Sequence, residues 1–461
     1  MRGEAEVRRV VLLDGTPDGT QDGDPRLAAV LETLRETLQA DGAQLQTFPL
    51  RAMKLAPCIG CFGCWIETPG KCVQGDAARE ILEAIVHSET LVLFTPVTFG
   101  GYSAELKLMV DHFIQLVLPT FITHHGEMHH PPRYHPPRLV AVGMQRQINE
   151  EEAKIFRVLV GRNALNFHAP SYAAEVVSGE EGVDALGSRF QGLLSRVDPW
   201  PLREVVTSLM PFPQVAKIPV ARIPVAHPAA RRALLIVGSP KVKRPSTSGV
   251  LGGYLLERLK QHGWEAESWT LRAALRKEEE QVRLAAEVDA ADLLILAFPL
   301  YADSLPFLAT KALQVVTKHR QANPTRRPQS MVVLVNNGFI DSYQNYVALA
   351  ICHQFAQQNG ITWAGALAMG AGEALSSGQP LRPPLGRYAI EALEMTGEAL
   401  GEGNAVPDEA VALIGRSPFP TLLWRWLFAM VGTRTFHRQA SANGISGERL
   451  LERPYAGPTG G

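Results

Sequence analysis

The sequence has no excess of basic residues, no N-terminal apolar leader and no apolar run long enough to span a bilayer. Lys and Arg together number 45 and Asp and Glu 46 among 461 residues, so no positive field is available to hold nucleic acid or an anionic membrane. The first apolar stretch, residues 10–13, ends at Asp14, which predicts no signal peptide. The apolar stretch at residues 421–432 contains Arg425 and is shorter than the roughly 20 residues that cross a bilayer. We therefore expect a cytoplasmic protein without a nucleic-acid or membrane partner.

The sequence contains the same pattern of apolar strands and helical segments twice. The run R-R-V-V-L-L-D-G-T-P begins at Arg8, and R-R-A-L-L-I-V-G-S-P begins at Arg231. Further along, L-V-L-F-T-P at residues 91–96 matches L-I-L-A-F-P at residues 294–299. Short apolar strands alternate with helical segments in both halves, which predicts parallel sheets with right-handed crossovers. Each half is therefore expected to form a doubly wound, three-layer α/β domain with five strands.

The domain boundaries follow from the repeat and from its interruptions. The first half contains two segments that the second lacks, one rich in cysteine (residues 52–75) and one rich in His and Pro (residues 119–138). Seven prolines between residues 197 and 230 favour an extended connector. We predict a first α/β domain at residues 1–196, a Pro-rich linker at 197–230, a second α/β domain at 231–403 and a C-terminal helical extension at 404–461.

The loop after the first strand of the second half has the composition of a phosphate site. In doubly wound sheets ligands lie beyond the carboxyl ends of the strands, and this loop leads directly into a helix. It offers hydroxyls from Ser239, Ser246, Thr247 and Ser248 and three cations, from Lys241, Lys243 and Arg244. An N-cap in a solvated loop is the alternative interpretation.

Three loops resemble those of one family. The run G-S-P-K followed by S-T-S, within residues 238–248, resembles the phosphate loop of NAD(P)H-dependent flavin mononucleotide (FMN) reductases, which have the flavodoxin-like fold. The runs F-P-L-Y-A-D-S-L-P-F-L-A-T-K at residues 298–311 and T-P-V-T-F-G-G-Y-S-A-E-L-K at residues 95–107 resemble that family's ring-binding loop. The resemblance implies two flavodoxin-like five-stranded sheets in tandem.

The resemblance also implies where FMN would bind. Besides the phosphate-loop residues, it implies ring contacts from Pro299, Leu300, Tyr301, Ala302, Asp303, Asn336, Asn337 and Gly338, and from Pro96, Val97, Thr98, Phe99 and Gly100 in the first half. Tyr301 and Asp303 are candidates for tuning the ring. An ordinary strand-to-helix turn remains the alternative for residues 299–303.

The first half departs from the family pattern at its phosphate loop. This loop contains four carboxylates, at Asp14, Asp18, Asp22 and Asp24. Like charges at such distances repel a phosphate by more than about 1 kcal/mol, although Thr16 and Thr20 offer donors. We therefore expect the second half to hold the principal flavin site.

Five cysteines in a chain of 461 residues are too few for a secreted disulfide scaffold. Four of them lie within residues 58–72, and this clustering indicates a compact chemical site. Cys58, Cys61, Cys64 and Cys72 are spaced for a [4Fe–4S] cluster, and the spacing resembles that of iron–sulfur flavoproteins. Zinc and redox-active thiols remain alternatives. Cys352 stands alone on an apolar helix face and is expected in the core. For the His/Pro-rich segment, a contact with another domain or subunit is favoured over a metal site.

Together these features predict an NAD(P)H-dependent FMN reductase-like oxidoreductase that passes electrons to a small-molecule or protein acceptor. Flavin N5 is the reacting atom, so no side chain need act as acid or base. A non-catalytic flavin or iron–sulfur electron carrier, or a redox sensor, is the alternative, and homo-oligomer formation is left open.

Overall fold

The computed structural model describes residues 8–17, 25–40, 42–209, 231–241, 245–324, 327–376, 378–383, 386–417 and 421–457. Most of the predicted linker (residues 210–230) lies outside these ranges, as do Asp18, Thr20, Asp22, Asp24, Lys243 and Arg244. The chain divides into two compact units, Met1–Leu202 with Trp426–Gly461, and Arg203–Arg425. We call them the first and second domain. The predicted C-terminal extension is shared between them.

The first domain contains a parallel sheet and a small hairpin. Its strands are β1 (Arg9–Asp14), β2 (Gln44–Pro49), β3 (Thr90–Pro96), β4 (Ile122–His124), β5 (Glu127–His129), β6 (Arg138–Gln145) and β7 (Tyr172–Ser178). Its helices are α1 (Pro25–Ala40), α2 (Gly63–Ile66), α3 (Ala78–Val86), α4 (Ala104–Val110), α5 (Glu150–Asn166) and α6 (Val183–Ser195). The sheet order is β2-β1-β3-β6-β7, with every pair parallel.

The second domain repeats that arrangement. Its strands are β8 (Arg232–Val237), β9 (Glu265–Thr270), β10 (Leu293–Pro299), β11 (Ser330–Asn336) and β12 (Thr362–Met369). Its helices are α7 (Arg203–Thr207), α8 (Thr247–Gln261), α9 (Leu271–Ala274), α10 (Glu278–Ala290), α11 (Phe307–Ala322), α12 (Tyr346–Gln358), α13 (Gly372–Leu375), α14 (Arg387–Gly401) and α15 (Asp408–Ile414). The sheet order β9-β8-β10-β11-β12 equals that of the first domain, and it is parallel throughout. The division between the domains falls within the last helix, α16 (Leu422–Ala442).

The predicted fold class is confirmed. Strand order 2-1-3-4-5 in a parallel sheet is the flavodoxin-like doubly wound arrangement, and the ligand edge lies where the order reverses, between the first and third strands. Each sheet is covered by helices whose apolar faces join the strands in a buried core, such as Leu12, Leu34 and Val142 in the first domain and Leu235, Leu255 and Leu393 in the second. Among the described residues no helix is long and apolar enough to cross a membrane.

Candidate functional site

The carboxyl edge of the first sheet is tightly built around Gly15. The Gly15 N–H donates to Phe94 O at 2.8 Å, which joins the end of β1 to β3. A Cβ at this position would lie 2.6 Å from Leu106 Cβ, so only glycine fits. Ser103 Oγ donates to Gly15 O at 2.6 Å and also caps α4 by accepting the Leu106 N–H. The loop after β1 is therefore fixed by the start of α4.

Arg51 supplies a cation to the first phosphate loop. A count of the charged residues within the loop's own sequence does not include it. The Asp14 carboxylate is buried, and its Oδ2 lies 2.7 Å from an Arg51 guanidinium nitrogen. The same guanidinium contacts Thr16 Oγ1, and the Thr16 N–H donates to Asp14 Oδ1 at 3.0 Å. Asp14 is thus paired, while Asp18, Asp22 and Asp24 lie outside the described residues.

The predicted ring loop of the first domain is a tight turn after β3. Thr98 and Gly101 exchange backbone hydrogen bonds of 2.9 and 2.8 Å. Between them, Phe99 and Gly100 have φ values of 55° and 84°. Positive φ is uncommon for a side chain as large as phenylalanine and is retained where the surroundings fix it. The Val97 N–H donates to Met144 O at 2.9 Å, which holds the turn against the end of β6.

The second domain has the same turn in the same place. Tyr301 and Ser304 exchange backbone hydrogen bonds, and the two residues between them, Ala302 and Asp303, have φ values of 45° and 56°. The Leu300 N–H donates to Asn336 O at 2.8 Å, as Val97 does to the corresponding strand in the first domain. Two consecutive non-glycine residues with positive φ are uncommon in proteins and are retained where the surroundings fix them.

Two buried amides end β11 beside this turn. The Asn337 Nδ2 group donates to Asp341 O at 3.0 Å. The side-chain oxygens of Asn336 and Asn337 are buried without a hydrogen-bond partner in the described part of the chain. Gly338, the third predicted residue here, is exposed. An unpaired buried amide oxygen is costly unless a donor fills its place, so this edge has acceptors suited to the N–H groups of a ligand.

The second phosphate loop begins α8 with a capped N-terminus. Ser246 Oγ accepts the Gly249 N–H at 3.0 Å and lies 3.2 Å from Ser248 Oγ. Thr247 Oγ1 donates to Gly372 O at 3.3 Å. Ser239, Ser246, Thr247 and Ser248 are all buried. Ser246 is thus the N-cap of α8, and Thr247 and Ser248 begin the same helix. Phosphate binding by this loop stays a prediction.

The cysteine segment brings the four thiols into mutual electrostatic contact. Burial raises the pKa of Cys58 to about 12, with a further contribution from the Asp111 carboxylate and from Cys72 and Cys61. Burial also raises the pKa of Cys64, to which the three other thiols contribute. The pKa of Cys72 is lowered: burial alone would raise it, but hydrogen bonds with His112 and the Gln74 N–H outweigh burial.

Backbone geometry in this segment presents N–H groups to sulfur. The Gly63 N–H donates to Cys61 Sγ at 3.3 Å, and Cys58 is in hydrogen-bond contact with the backbone of Gly60. No three His, Cys, Asp or Glu side chains among the described residues are arranged to hold one metal ion. This finding bears equally on zinc and on an iron–sulfur cluster, and both stay predictions for the four cysteines. Cys352 is buried in the second domain, as expected.

The His/Pro-rich segment folds back onto its own domain. β4 and β5 form an antiparallel hairpin, whose turn residues His125 and Gly126 have φ values of 48° and 79°. His129 is fully buried, with Nδ1 2.7 Å from Asn166 Oδ1. Glu127 forms a buried ion pair of 2.6 Å with Arg162 of α5. His129 is buried and His130 half-buried within the first domain. A contact of this segment with another domain or subunit stays a prediction.

The pKa shifts of two histidines, His130 and His168, predict that the protein loses stability in mild acid. Burial lowers the pKa of His130 to about 4, and burial with the nearby His124 does the same for His168. Both histidines have a pKa near 6.5 when the chain is unfolded, so between about pH 6.5 and 4 the unfolded state binds more protons. The free energy of unfolding is therefore expected to be fully retained above pH 6.5 and to fall as the pH drops towards 4.

Urea unfolding of the first domain at several pH values measures this loss. His130→Phe keeps a ring between Trp65 and Phe121, whose centroids lie 4.7 and 4.6 Å from the histidine ring, and removes one titrating group. The free energy of unfolding of this variant should depend less on pH than that of the wild type. The exposed His135→Asn serves as the control and should follow the wild type. An identical pH dependence in all three proteins would contradict the prediction.

Comparison with known proteins finds sequence relatives for the first domain. Residues 9–164 match the family described as NADPH-dependent FMN reductase. The first domain therefore resembles the NADPH-dependent FMN reductases. The matched range extends from β1 into α5 and includes Gly15, Arg51, the four clustered cysteines and the turn at residues 97–101.

Individual proteins similar to this chain include two iron–sulfur flavoproteins and one solved structure, and the chain spans less than half the length of the first of them. An iron–sulfur flavoprotein of Methanocaldococcus jannaschii is 40% identical over 81 residues, which are 17% of this chain and 41% of that protein. An iron–sulfur flavoprotein of Archaeoglobus fulgidus is 29% identical over 198 residues, 38% of this chain and 96% of that protein. A solved FMN-dependent NADH-azoreductase from Bacillus anthracis is 14% identical, with a TM-score of 0.29, and covers 37% of this chain and 99% of its own.

Proposed function

We propose that the chain is an NAD(P)H-dependent FMN oxidoreductase that passes electrons to a small-molecule or protein acceptor. The observation that carries the proposal is the FMN reductase match over residues 9–164, which includes the turn at residues 97–101. The second domain repeats both the sheet order and the turn. The proposal extends the flavin site to both domains, because Arg51 accompanies Asp14 in the first phosphate loop and Glu373 accompanies Lys241 in the second. That the second domain holds the principal site stays a prediction.

The residues present fit FMN at each part of the molecule. Buried hydroxyls at the start of α8, or Thr16 and Arg51 in the first domain, would hold the phosphate. The buried oxygens of Asn336 and Asn337 have the acceptor chemistry that the N–H group of a flavin ring needs. The turns at residues 97–101 and 300–304 would form a rigid wall for the ring. When bound, FMN supplies the centre that accepts hydride from the nicotinamide.

The chain's own contribution is positioning. Backbone hydrogen bonds from Val97 to β6 and from Leu300 to β11 fix both turns on their sheets, so that a bound ring need not reorder the protein. Preorganisation of this kind aligns hydride donor and acceptor and lowers the entropic part of the barrier. Asp303 is almost fully buried in its turn, which keeps it as our candidate for tuning the ring.

Anaerobic purification followed by an NAD(P)H oxidation assay tests the proposal. The purified protein should show the visible bands of flavin, release FMN on denaturation and oxidise NADH or NADPH continuously when an artificial acceptor is present. A protein that binds FMN but shows no turnover with either nicotinamide would favour the alternative of an electron carrier or sensor. A protein that binds no FMN would contradict the proposal.

We also propose that Cys58, Cys61, Cys64 and Cys72 bind an iron–sulfur cluster. The relatives described above are named iron–sulfur flavoproteins, the four thiols are close enough to shift one another's pKa, and N–H groups face two of the sulfurs. A cluster is larger than a single ion, so its thiolates stand further apart than zinc ligands do. The same anaerobic preparation should contain iron and labile sulfide. The Cys61→Ser variant should lose most of the iron and the sulfide, whereas replacing the buried Cys352 by Ser should change neither. Wild-type protein that contains no iron would contradict the cluster and favour the alternative of redox-active thiols.

A further inference from the structure

Arg133 is a buried cation beside the cysteine segment of the first domain. It lies in the connection from β5 to β6, where its backbone N–H donates to Leu116 O at 2.8 Å, and only 1% of the residue is exposed. The Gly70 N–H donates to Cys64 O at 2.8 Å, and a Cβ at Gly70 would lie 3.3 Å from Arg133 Cδ. The stem of this arginine therefore lies against the backbone that joins Cys64 to Cys72.

The Arg133 guanidinium donates to backbone carbonyls. Nε donates to Gln115 O at 3.2 Å, and Nη1 donates to Leu450 O and Glu452 O at 2.9 and 2.7 Å. Nη2 is buried and has no acceptor among the described residues. The Glu452 carboxylate, with 44% of its side chain exposed, pairs with Arg449 at 2.8 Å. In the described part of the chain, Arg133 thus forms no ion pair with a carboxylate.

A buried guanidinium needs a negative charge to offset the water that it has lost. Arginine keeps its proton in proteins, and carbonyl dipoles satisfy its donors without neutralising it. Burial lowers the pKa of Arg133, whereas Tyr134, Cys64 and Glu452 act to raise it. Burial also raises the pKa of Tyr134, so its hydroxyl stays neutral, and Glu452 is solvated and paired. The cysteine site is then the buried source of negative charge.

We propose that Arg133 is the internal counter-ion of the cysteine site and favours the more negative of its redox states. Four thiolates outweigh the positive charge of an iron–sulfur core, and the uptake of one electron from a reductant adds a further negative charge. A cation held nearby, away from water, stabilises the reduced state over the oxidised one. This inference deepens the proposed iron–sulfur site and rests on it for the reduction potential, but not for the charge of the thiols.

A redox titration of the anaerobically prepared protein tests this role. Dithionite reduces the protein in the presence of redox dyes at one fixed pH, and electron paramagnetic resonance follows the reduced cluster. Arg133→Met keeps an apolar stem and removes the charge. The ratio of reduced to oxidised cluster at a given potential should fall about tenfold, which is a shift of about 59 mV for one electron. Arg133→Lys keeps a cation and should recover part of this shift, which a merely structural role would not predict.

Arg79→Met is the matched control. Arg79 is exposed, and its guanidinium donates to Cys72 O at 3.2 Å, so this variant removes a cation from the same segment at a position where water and salt screen the charge. Its reduction potential should equal that of the wild type. If Arg133→Met does not fold, Arg133→Gln takes its place, because glutamine is neutral and keeps a donor for the carbonyls of Leu450 and Glu452.

A second measurement needs no cluster. In iron-free protein at one neutral pH, mass spectrometry reads the rate at which iodoacetamide alkylates Cys64. Loss of the Arg133 charge should slow this reaction, because the thiolate is the nucleophile and less of it is present. A loosened structure would instead expose the thiol and speed the reaction, so the direction of the change separates the two causes. Arg79→Met should again follow the wild type.

The outcomes distinguish this inference from the proposed function. Equal reduction potentials in wild type and Arg133→Met, or equal or faster alkylation of Cys64 in the variant, would overturn the inference while the proposed cluster stands. Wild-type protein without iron would contradict the cluster, and the alkylation rates alone would then decide whether Arg133 is the counter-ion of the thiols.

Discussion

Replacing Asp111 by Asn should destabilise the first domain by about 3–5 kcal/mol, the expected result of breaking a buried ion pair. Lys107 and Asp111 lie one helical turn apart, at the end of α4 and the start of the 3₁₀ turn that follows, and their side chains are 1% and 2% exposed. Removing the Asp111 carboxylate charge leaves the Lys107 ammonium group buried without its counter-ion. Lys107 must then either stay charged without compensation or lose a proton. Either outcome costs more than the hydrogen bond that asparagine can still accept.

The effect is measured by urea unfolding, as a change in the free energy of unfolding of the first domain. The unfolding transitions of the two domains must be resolved, because a two-domain chain need not unfold in one step. The double variant Lys107→Met/Asp111→Leu replaces the pair by apolar side chains and should recover most of the lost free energy. Glu32→Gln is the control in the same domain: it breaks a pair with Arg35 whose side chains are 60% and 39% exposed, and it should cost less than about 1 kcal/mol. A loss below about 1 kcal/mol for Asp111→Asn would show that solvent or another group compensates Lys107.

The fold was predictable because its signals are local and repeated. Most strands of the two sheets are short apolar runs, the exceptions being the polar edge strands β2 and β9. The run that ends in Pro96 and the one that ends in Pro299 both lead into a turn with positive φ. Patterns of this kind depend on neighbouring residues alone. They fix strands, crossovers and the edge where a ligand lies, and the structure confirms the five-stranded parallel sheet in both halves.

The charges of the phosphate loops were not predictable from their own sequence. Arg51 is 37 positions from Asp14, and Glu373 is 132 positions from Lys241. A count of acids and bases within one loop omits both. The carboxyl edge of a parallel sheet collects side chains from several separate loops, so its electrostatics depend on tertiary contacts. The strand–turn pattern shows which loops meet there, but not which side chains pair.

The hairpin β4–β5 has a turn sequence that the His/Pro-rich composition of its segment does not show. Five His and five Pro residues in the segment 119–138 favoured a contact with another domain or subunit. Within this segment, His125-Gly126 adopts the positive φ pair of a tight two-residue hairpin turn. The flanking residues pair as Ile122 with His129 and His124 with Glu127. Burial of His129 then depends on Asn166 and Arg162 of α5, which the hairpin sequence does not reveal.

The pairing of Arg51 with Asp14 leads to the second large expected effect, on flavin binding by the first domain. Arg51→Met should lower its FMN affinity by an order of magnitude or more, because Asp14, whose side chain is only 3% exposed, would keep its charge beside the phosphate loop without a counter-ion. Two like charges about 4 Å apart repel by about 1 kcal/mol in water and about 4 kcal/mol in a protein surface environment. An affinity loss of tenfold requires only about 1.4 kcal/mol.

A charge-neutral double variant separates this electrostatic effect from a structural one. Asp14→Asn/Arg51→Met removes both charges and should recover much of the FMN affinity, whereas a loop that simply collapsed without Arg51 would stay impaired. Titrations in a Ser246→Glu background, in which an added anion weakens the second domain's phosphate loop, isolate the first site. Arg35→Met, which removes an exposed cation of α1, controls for net charge. Riboflavin should bind all these variants alike, because it carries no phosphate. Equal FMN affinity in wild type and Arg51→Met would show that the first domain does not place a phosphate beside Asp14.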